Sequence, residues 1–110
     1  MENSNWESLF QAIKSELPFT PPFQYKKYEE PPYPEVFDED VWYLGDYSSE
    51  FLLPYSKLEW IAIRPRYLKS IGRLLPQKIV SCEQELLALL NKLNINFKNE
   101  NDKVFIRSSS

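Results

Sequence analysis

Apolar residues near the start of the chain recur with the period of a helix. They fall at i, i+3, i+4, i+7 and i+11, which places them on one stripe of a helical surface. The stripe consists of Trp6, Leu9, Phe10, Ile13 and Leu17. A Ser-x-x-Glu sequence at residues 4–7 is typical of a capping box, and Pro18 follows the stripe. The pattern predicts a helix over residues 5–17.

Prolines dominate the next segment, because six of the nine lie between residues 18 and 34. Proline lacks a backbone donor and restricts the residue before it to extended conformations, so this segment is neither a helix nor a central strand. Between two proline pairs, Phe23–Tyr28 is long enough for one edge strand. We expect Pro31–Pro34 to form a stiff, extended loop.

Three short runs in the middle of the chain are rich in β-branched, aromatic and other apolar residues. The content of Val41–Leu44 and of Ser48–Leu53 predicts two strands. Leu58–Ile63 is apolar on both faces and ends before Pro65, which predicts a central strand. Three strands in succession, separated by short turns, predict an antiparallel meander.

The last third of the chain predicts two helices and a terminal strand pair. Arg66–Leu75 has apolar residues at helical spacing and predicts a short helix. In the second helix, Ser81 is the predicted cap and Gln84 its partner, ahead of a leucine stripe. That stripe consists of Leu86, Leu89, Leu90 and Leu93. Phe97–Ile106 predicts a terminal hairpin or a single strand, and residues 108–110 a frayed tail.

These elements predict an α+β fold, with an antiparallel meander sheet of three to five strands and two main helices packed on one face. The 110 residues have a mass of 13.1 kDa and are 43% hydrophobic, which is enough for one core. We therefore expect residues 1–110 to form a single domain.

Composition excludes several kinds of chemistry. The chain has no histidine, one cysteine and two glycines. It therefore lacks a disulfide framework, a Cys/His zinc site, an imidazole base and a glycine-rich phosphate loop. No apolar run approaches the ~18 residues of a membrane span, and the first residues are too polar for a signal peptide. We expect a cytoplasmic protein without cofactor, metal or membrane partner.

Charge is strongly segregated along the chain, although the net charge is only −3. Tyr28–Ser56 contains eight acidic and no basic residues, whereas Lys57–Ile79 contains six basic residues and one acidic residue. A concentrated acidic segment repels nucleic acid and attracts a basic protein surface. Alternatively, the two segments neutralise each other inside the fold, although six bases cannot pair with all eight acids.

Aromatic residues accompany the acidic ones. Twelve of the 17 aromatic residues lie between Phe19 and Trp60, and most are expected in the core. Several lie among prolines, acids and turns, where burial is harder, and Tyr and Trp are typical anchors of protein interfaces. The residues that we predict to bind a protein partner are Glu29, Glu30, Tyr33, Glu35, Asp38, Glu39, Asp40, Trp42, Tyr43, Asp46 and Tyr47.

Other chemistry has weaker support. The run from Asp38 to Asp40 lacks the alternating ligands and the glycine of a calcium loop. Cys82 at the first position of the second helix would have a lowered thiol pKa, but it has no histidine as base. Glu59, in the strongest strand, is a possible acid or base of a small hydrolase. Basic residues 57–78 with Trp60 and Tyr67 could bind nucleic acid, which the pI of about 5.0 opposes.

Three sequence pieces together resemble a known family. They are Asn5-Trp6-x-x-Leu9-x-x-Ala12-Ile13, then Asp40-Val-Trp42-Tyr43 with Asp46-Tyr47, and Leu58-Glu59-Trp60-Ile61. They resemble small bacterial proteins of unknown function that are often interpreted as immunity proteins of polymorphic or contact-dependent toxin systems. The resemblance implies a cytoplasmic, non-enzymatic antidote that binds a toxin domain, often a nuclease, and blocks its active site.

The charge pattern and the resemblance give one hypothesis. Nucleases attract phosphate through basic clefts, and an acidic surface can occupy such a cleft. We therefore expect residues 29–50 to inhibit a toxin stoichiometrically. The alternatives are a small phage or regulatory protein that sequesters a host enzyme, or a small hydrolase that uses Glu59 or Cys82.

Overall fold

Two helices and a four-stranded antiparallel sheet share one apolar core, and a separate two-stranded hairpin joins them. A computed structural model describes residues 2–48 and 50–108. In chain order the elements are α1 (Asn3–Glu16), β1 (Phe23–Lys27), β2 (Leu58–Ile63), β3 (Arg66–Lys69), β4 (Lys78–Ser81), α2 (Glu83–Lys92), β5 (Lys98–Glu100) and β6 (Lys103–Arg107). Single 3₁₀ turns cover Glu50–Leu52 and Tyr55–Lys57.

The four-stranded sheet has the order β1-β2-β6-β5, and every pair in it is antiparallel. The predicted α+β class is confirmed, as are the edge position of β1, the central position of β2 and the C-terminal hairpin of β5 and β6. The sheet is not a simple meander, because the strand that follows β2 in the chain does not pair with it. Instead β6, near the C-terminus, lies beside β2. The hairpin of β3 and β4 forms a second sheet.

The core lies between the helices and one face of the sheet. Ile61 pairs with Ile106, and Ile63 pairs with Val104, so these four side chains lie on the same face. They join the apolar stripes of both helices, and each fully buried aliphatic side chain contributes roughly 1.5–3 kcal/mol. The helical members of this core are Trp6, Leu9, Phe10, Ala12, Ile13, Leu86, Leu89 and Leu90. The predicted leucine and aromatic stripes are confirmed, because the helical period brings each stripe to the sheet.

The proline-rich segment covers part of the opposite face of the sheet. Gln24 pairs with Ala62 on that face, and its side-chain amide donates to the carbonyl of Pro34 at 2.7 Å. Arg64 is 2% exposed and donates to the carbonyl of Phe37 at 2.9 Å. These two side chains tie residues 34–37 to the sheet, so the segment is an anchored covering loop.

Two predicted strands are wrong. Val41–Leu44 is a loop, whose Val41 carbonyl accepts a hydrogen bond from the Leu68 N–H at 2.8 Å. In place of the strand Ser48–Leu53, the chain forms the 3₁₀ turn Glu50–Leu52, and Ser49 lies outside the described residues. Strand propensity reflects how well a side chain packs on a pleated surface, and here most of the large apolar side chains of the two runs, including Trp42, Leu44 and Phe51, are exposed.

The predicted short helix Arg66–Leu75 is also wrong. Its first residues form β3, which pairs with β4, and a turn follows at Arg73–Leu75. An isolated helix this short is marginal in water, and Gly72 weakens it further. The backbone groups of residues 66–69 pair with residues 78–81 instead. Of the predicted frayed tail, residues 109–110 lie outside the described residues.

Candidate protein-binding groove

One wall of a surface groove is built on the outer edge of β1. Tyr25 and Tyr33 exchange two backbone hydrogen bonds, with N···O distances of 3.0 and 2.9 Å, and form an isolated antiparallel bridge. Their ring centroids are 6.0 Å apart. The bridge holds Tyr33 at the rim, where 66% of its surface is exposed. The covering loop therefore returns to β1 and presents an aromatic side chain there.

The opposite wall is the segment that follows Tyr43. Its Gly45 N–H donates to the carbonyl of Thr20 at 3.0 Å. A Cβ on Gly45 would lie 2.5 Å from the carbonyl oxygen of Pro21 and 2.7 Å from the Phe23 ring, so only glycine permits this approach. Close packing at Gly45 thus brings the two walls together.

The groove between these walls has a volume of about 380 Å³, which is at the small end of the range for binding pockets. Its lining is mostly apolar and consists of Phe23, Tyr25, Tyr33, Pro34, Tyr43, Leu44, Gly45, Asp46, Phe51 and Leu52. Four of these side chains are large, apolar and exposed, namely Tyr33, Tyr43, Leu44 and Phe51. A contiguous exposed aromatic patch is typical of an interaction site. We call these ten residues the aromatic groove.

Two tyrosines of the aromatic groove have a raised pKa. Burial raises the pKa of Tyr25, and the neighbouring Tyr33 and Glu30 raise it further. Burial likewise raises the pKa of Tyr43, with a second contribution from Tyr33. Tyr25 and Tyr43 therefore remain neutral at physiological pH and can donate and accept hydrogen bonds at the groove.

Most of the acidic segment is exposed and uncompensated. Within residues 2–48 and 50–108, six of its eight acids take part in no ion pair. These six are Glu29, Glu30, Glu35, Glu39, Asp46 and Glu50. Among the described residues, the basic segment pairs only with Asp40 of the acidic segment, which lies 3.5 Å from Arg64 and 2.7 Å from Arg66. Asp38 lies 3.7 Å from Lys103 of β6.

Two of the predicted partner-binding residues need correction. Tyr47 is only 3% exposed, because its ring packs 4.6 Å from that of Phe23 and its hydroxyl donates to the Pro21 carbonyl. The carboxylate of Asp40 forms ion pairs with Arg64 and Arg66 inside the fold. Tyr47 is therefore a core residue and Asp40 a structural one.

The other predicted residues are divided between the groove and its surroundings. Tyr33, Tyr43 and Asp46 line the aromatic groove. Trp42 is 74% exposed and stands beside the groove, with its ring 5.7 Å from that of Tyr43 in an edge-on contact. Glu29, Glu30, Glu35, Asp38 and Glu39 are exposed.

Seven of the ten residues that line the aromatic groove were not predicted from the sequence. Phe23, Tyr25, Leu44, Phe51 and Leu52 fall in segments predicted as strands, and neither Pro34 nor Gly45 was predicted to bind a partner. Only the return of the covering loop to β1 brings these distant positions together. The proline pairs before and after Phe23–Tyr28 predicted that this segment is an edge strand. That prediction is the feature of the sequence that could have located the groove.

Two of the six residues of the basic segment are held inside the fold by other contacts. Arg64 is buried and Arg66 is held by Asp40, while Tyr67 packs on Phe19 with ring centroids 4.8 Å apart. Trp60 packs on Phe105. Of the basic segment, the side chains that are exposed and outside the ion pairs of the described residues are Lys57, Lys69, Arg73 and Lys78.

The two candidate catalytic residues both make contacts within the fold, and the environment of Cys82 differs from the predicted one. Cys82 precedes α2 as its N-cap residue and is fully buried. Burial, followed by the charge of Glu85, raises the pKa of its thiol to about 12, the opposite of the lowered value expected at a helix start. Glu59 forms a 2.6 Å ion pair with Lys26 across the sheet. Cys82 is thus a neutral core thiol, and Glu59 pairs with a cation of β1.

A second cleft lies at the other end of the sheet. It has a volume of about 870 Å³ and is bordered by the start of α1, the connection after α2 and the β5–β6 hairpin. Its polar lining includes Asn5, Ser8, Asn94, Asn96 and Arg107. None of the predicted partner-binding residues lines it, and it lacks the exposed aromatic side chains of the aromatic groove.

Comparison with known proteins places the chain in a family. A model of a family of unknown function, DUF6678, matches residues 1–108, and the chain belongs to this family. Neither a search of curated proteins nor a search of solved structures finds a match. The family description states no activity and makes no connection with toxin immunity. No helix of residues 2–48 and 50–108 is long and apolar enough to cross a membrane.

Proposed function

We propose that this protein is a non-enzymatic immunity protein that binds a basic toxin domain, a nuclease, through the aromatic groove and the acids around it. The observation that carries the proposal is the exposed Tyr33 ring, held at the rim of an apolar groove by backbone hydrogen bonds to Tyr25. A rigid aromatic side chain loses little conformational entropy on binding.

The groove supplies the apolar part of such an interface. Interfaces gain most of their affinity from a few buried aromatic anchors, and the surrounding contacts exclude water. Tyr33 and Tyr43 are exposed at the groove, and Phe23 forms part of its floor. A partner that places an aliphatic or aromatic side chain between Tyr33 and Tyr43 would bury the apolar surface that is now exposed to water.

The acids supply attraction over a longer range. Glu29 and Glu30 lie on the turn that follows β1, and Asp46 lines the groove itself. Because these carboxylates are not paired within the described residues, their field acts on an approaching partner. The clefts of nucleases carry basic residues for phosphate, so the surface around the groove fits such a cleft in sign.

The test uses the polypeptide encoded immediately upstream of this chain in its genome. Its C-terminal domain, made with an inactivated nuclease site, is titrated against the purified chain by calorimetry and stopped-flow. We expect a 1:1 complex, loss of nuclease activity in the intact toxin, and an association rate that falls at least about tenfold between about 50 and about 500 mM salt.

Matched variants separate the two contributions. Tyr33→Ala removes an anchor and is expected to raise the dissociation constant at least about tenfold, mainly through faster dissociation. Glu30→Lys is expected to slow association, whereas Glu16→Lys makes the same charge change at the end of α1 and leaves the rate unchanged. The proposal fails if the upstream domain does not bind or if it binds equally well to the Tyr33 variant.

A further inference from the structure

The β3–β4 hairpin ends in a tip that is both aliphatic and basic. We define the hairpin tip as residues 69–79, all of which are exposed except Gly72. Its large exposed apolar side chains are Ile71, Leu74, Leu75 and Ile79, and Leu74 is 94% exposed. Lys69, Arg73 and Lys78 lie among them, and the sequence contains no acid between Glu59 and Glu83.

The hairpin is fastened to the fold at its base. The Leu68 N–H bonds to Val41, Tyr67 packs on Phe19, and Arg66 pairs with Asp40. Beyond this base the two strands pair with each other. A two-stranded hairpin is marginally stable alone in water, and exposed aliphatic side chains at such a site are typical of an interaction surface. The hairpin tip is therefore a candidate interaction surface.

The surface that complements the hairpin tip is present on the same chain. The aromatic groove is apolar and surrounded by unpaired acids, whereas the hairpin tip is apolar and carries three bases. We infer that the hairpin tip of one copy occupies the aromatic groove of a second copy. This inference rests on the proposed role of the groove as a protein-binding site and identifies its resting occupant.

The contacts follow from the chemistry of the two surfaces. Leu74 and Leu75 are the side chains that enter between Tyr33 and Tyr43, where all four bury apolar area. Arg73 and its basic neighbours then face Glu30, Asp46 and the other acids at the rim. Charged groups at the rim of an apolar contact are the arrangement found in specific interfaces.

A two-fold dimer covers the hairpin tip and the aromatic groove of both copies at once. Each copy has one hairpin tip and one aromatic groove, and reciprocal exchange leaves neither exposed. The dimer also covers the surface that would bind a toxin domain. Binding of that domain therefore competes with self-association, and the monomer is the form that binds it.

Sedimentation velocity of the purified full chain tests the inference. We expect a reversible monomer–dimer equilibrium at micromolar to millimolar concentrations, with weaker association at high salt. Leu74→Asp and Tyr33→Asp are each expected to raise the dimer dissociation constant at least about tenfold. Leu74→Met keeps the apolar contact, and Ala88→Asp adds the same charge on exposed α2, so both controls remain dimeric.

Mixing the two charged variants provides the decisive measurement. The Leu74→Asp chain keeps its groove and the Tyr33→Asp chain keeps its hairpin tip, so an equimolar mixture forms a heterodimer through one intact contact. We expect this heterodimer to be weaker than the wild-type dimer and stronger than either variant with itself. Circular dichroism of each variant verifies that the fold is retained.

Three results would overturn the inference. They are a wild-type chain that stays monomeric throughout, dimers that persist in both charged variants, or no heterodimer in the mixture. Binding of the monomer to phosphatidylserine-containing vesicles that depends on Leu74 would also overturn it, because the tip would then contact a membrane. If the upstream domain binds a monomeric wild type, only the dimer inference fails; if dimers form and that domain does not bind, only the proposed function fails.

Discussion

The hydroxyl of Tyr47 donates a hydrogen bond to the backbone carbonyl of Pro21 at 2.7 Å, and both residues are buried. Proline cannot continue the ladder of a sheet as a donor, but its carbonyl still needs a partner. Tyr47 supplies that partner from 26 residues farther along the chain. The contact fastens the groove wall at residues 43–47 to the segment that leads into β1.

Replacing Tyr47 with Phe tests the strength of this fastening. The variant leaves the buried Pro21 carbonyl without its donor, and we expect a loss of about 1–3 kcal/mol in the free energy of unfolding. Urea denaturation would give a lower midpoint with an unchanged slope. Tyr33→Phe removes an exposed hydroxyl and serves as the control, with a change within about 0.5 kcal/mol. Equal stability of the two variants would contradict the assignment of Tyr47 to the core.

Asp40 is the acidic residue whose loss should matter most for folding. Asp40→Asn removes the charge that compensates buried Arg64 and half-buried Arg66, and we expect a loss of roughly 2–4 kcal/mol in the free energy of unfolding. Asp38→Asn makes the same change at a mainly exposed carboxylate and should cost less than about 0.5 kcal/mol. Thermal denaturation of the two variants checks the structural role of Asp40, which equal melting temperatures would contradict.

The two glycines of the chain should respond differently to alanine. At Gly45 a Cβ would clash with the backbone oxygen of Pro21, and we expect Gly45→Ala to cost about 1–3 kcal/mol and to widen the aromatic groove. At Gly72 the nearest atom is the end of the Leu75 side chain at 3.1 Å, which can move aside. Gly72→Ala should therefore be within about 0.5 kcal/mol of wild type by chemical denaturation. A similar loss at both positions would argue against close packing at Gly45.

Stability should fall in alkaline solution because of Cys82. The folded state holds its thiol proton up to a pKa of about 12, whereas the ordinary pKa is 9.0. The stabilisation is therefore complete below pH 9 and is lost as the pH rises towards 12. Tyr47, whose pKa burial raises well above its ordinary value of 10.0, acts in the same direction at higher pH.

Cys82→Ala isolates this effect. The variant lacks the thiol, so its free energy of unfolding should fall less than that of the wild type between about pH 8 and about pH 10.5. The comparison uses the difference between the two pH values, since the substitution itself leaves a small cavity. Parallel pH dependences would rule out the buried neutral thiol, as would rapid alkylation of the folded wild-type protein.

The sequence was most informative where one periodic pattern faces one core. The stripe from Trp6 to Ile13 and the leucines of α2 each have a single apolar face, and both were identified from spacing alone. Leu58–Ile63 was recognised as central because both of its faces are apolar. In these elements local preference and tertiary packing favour the same structure.

Prediction failed where tertiary contacts decide between conformations. Val41–Leu44 has strand composition, but its partners are the Leu68 N–H and the edge of the groove. Arg66–Lys69 has helical spacing, but it pairs with residues 78–81. The exposed acids of the site were identified from charge alone. The burial of Tyr47 could not be, because the Pro21 carbonyl that accepts its hydrogen bond is distant in sequence.

The Tyr25–Tyr33 bridge has a consequence for behaviour at high concentration. Open strand edges are the places where separate chains add to one another and grow into fibres. Tyr33 already occupies the edge of β1 at Tyr25, and the other edge is β5, three exposed residues that include Lys98 and Glu100. Both edges of the four-stranded sheet are thus poor templates for cross-β growth. The protein can therefore reach a high concentration without polymerising through this sheet.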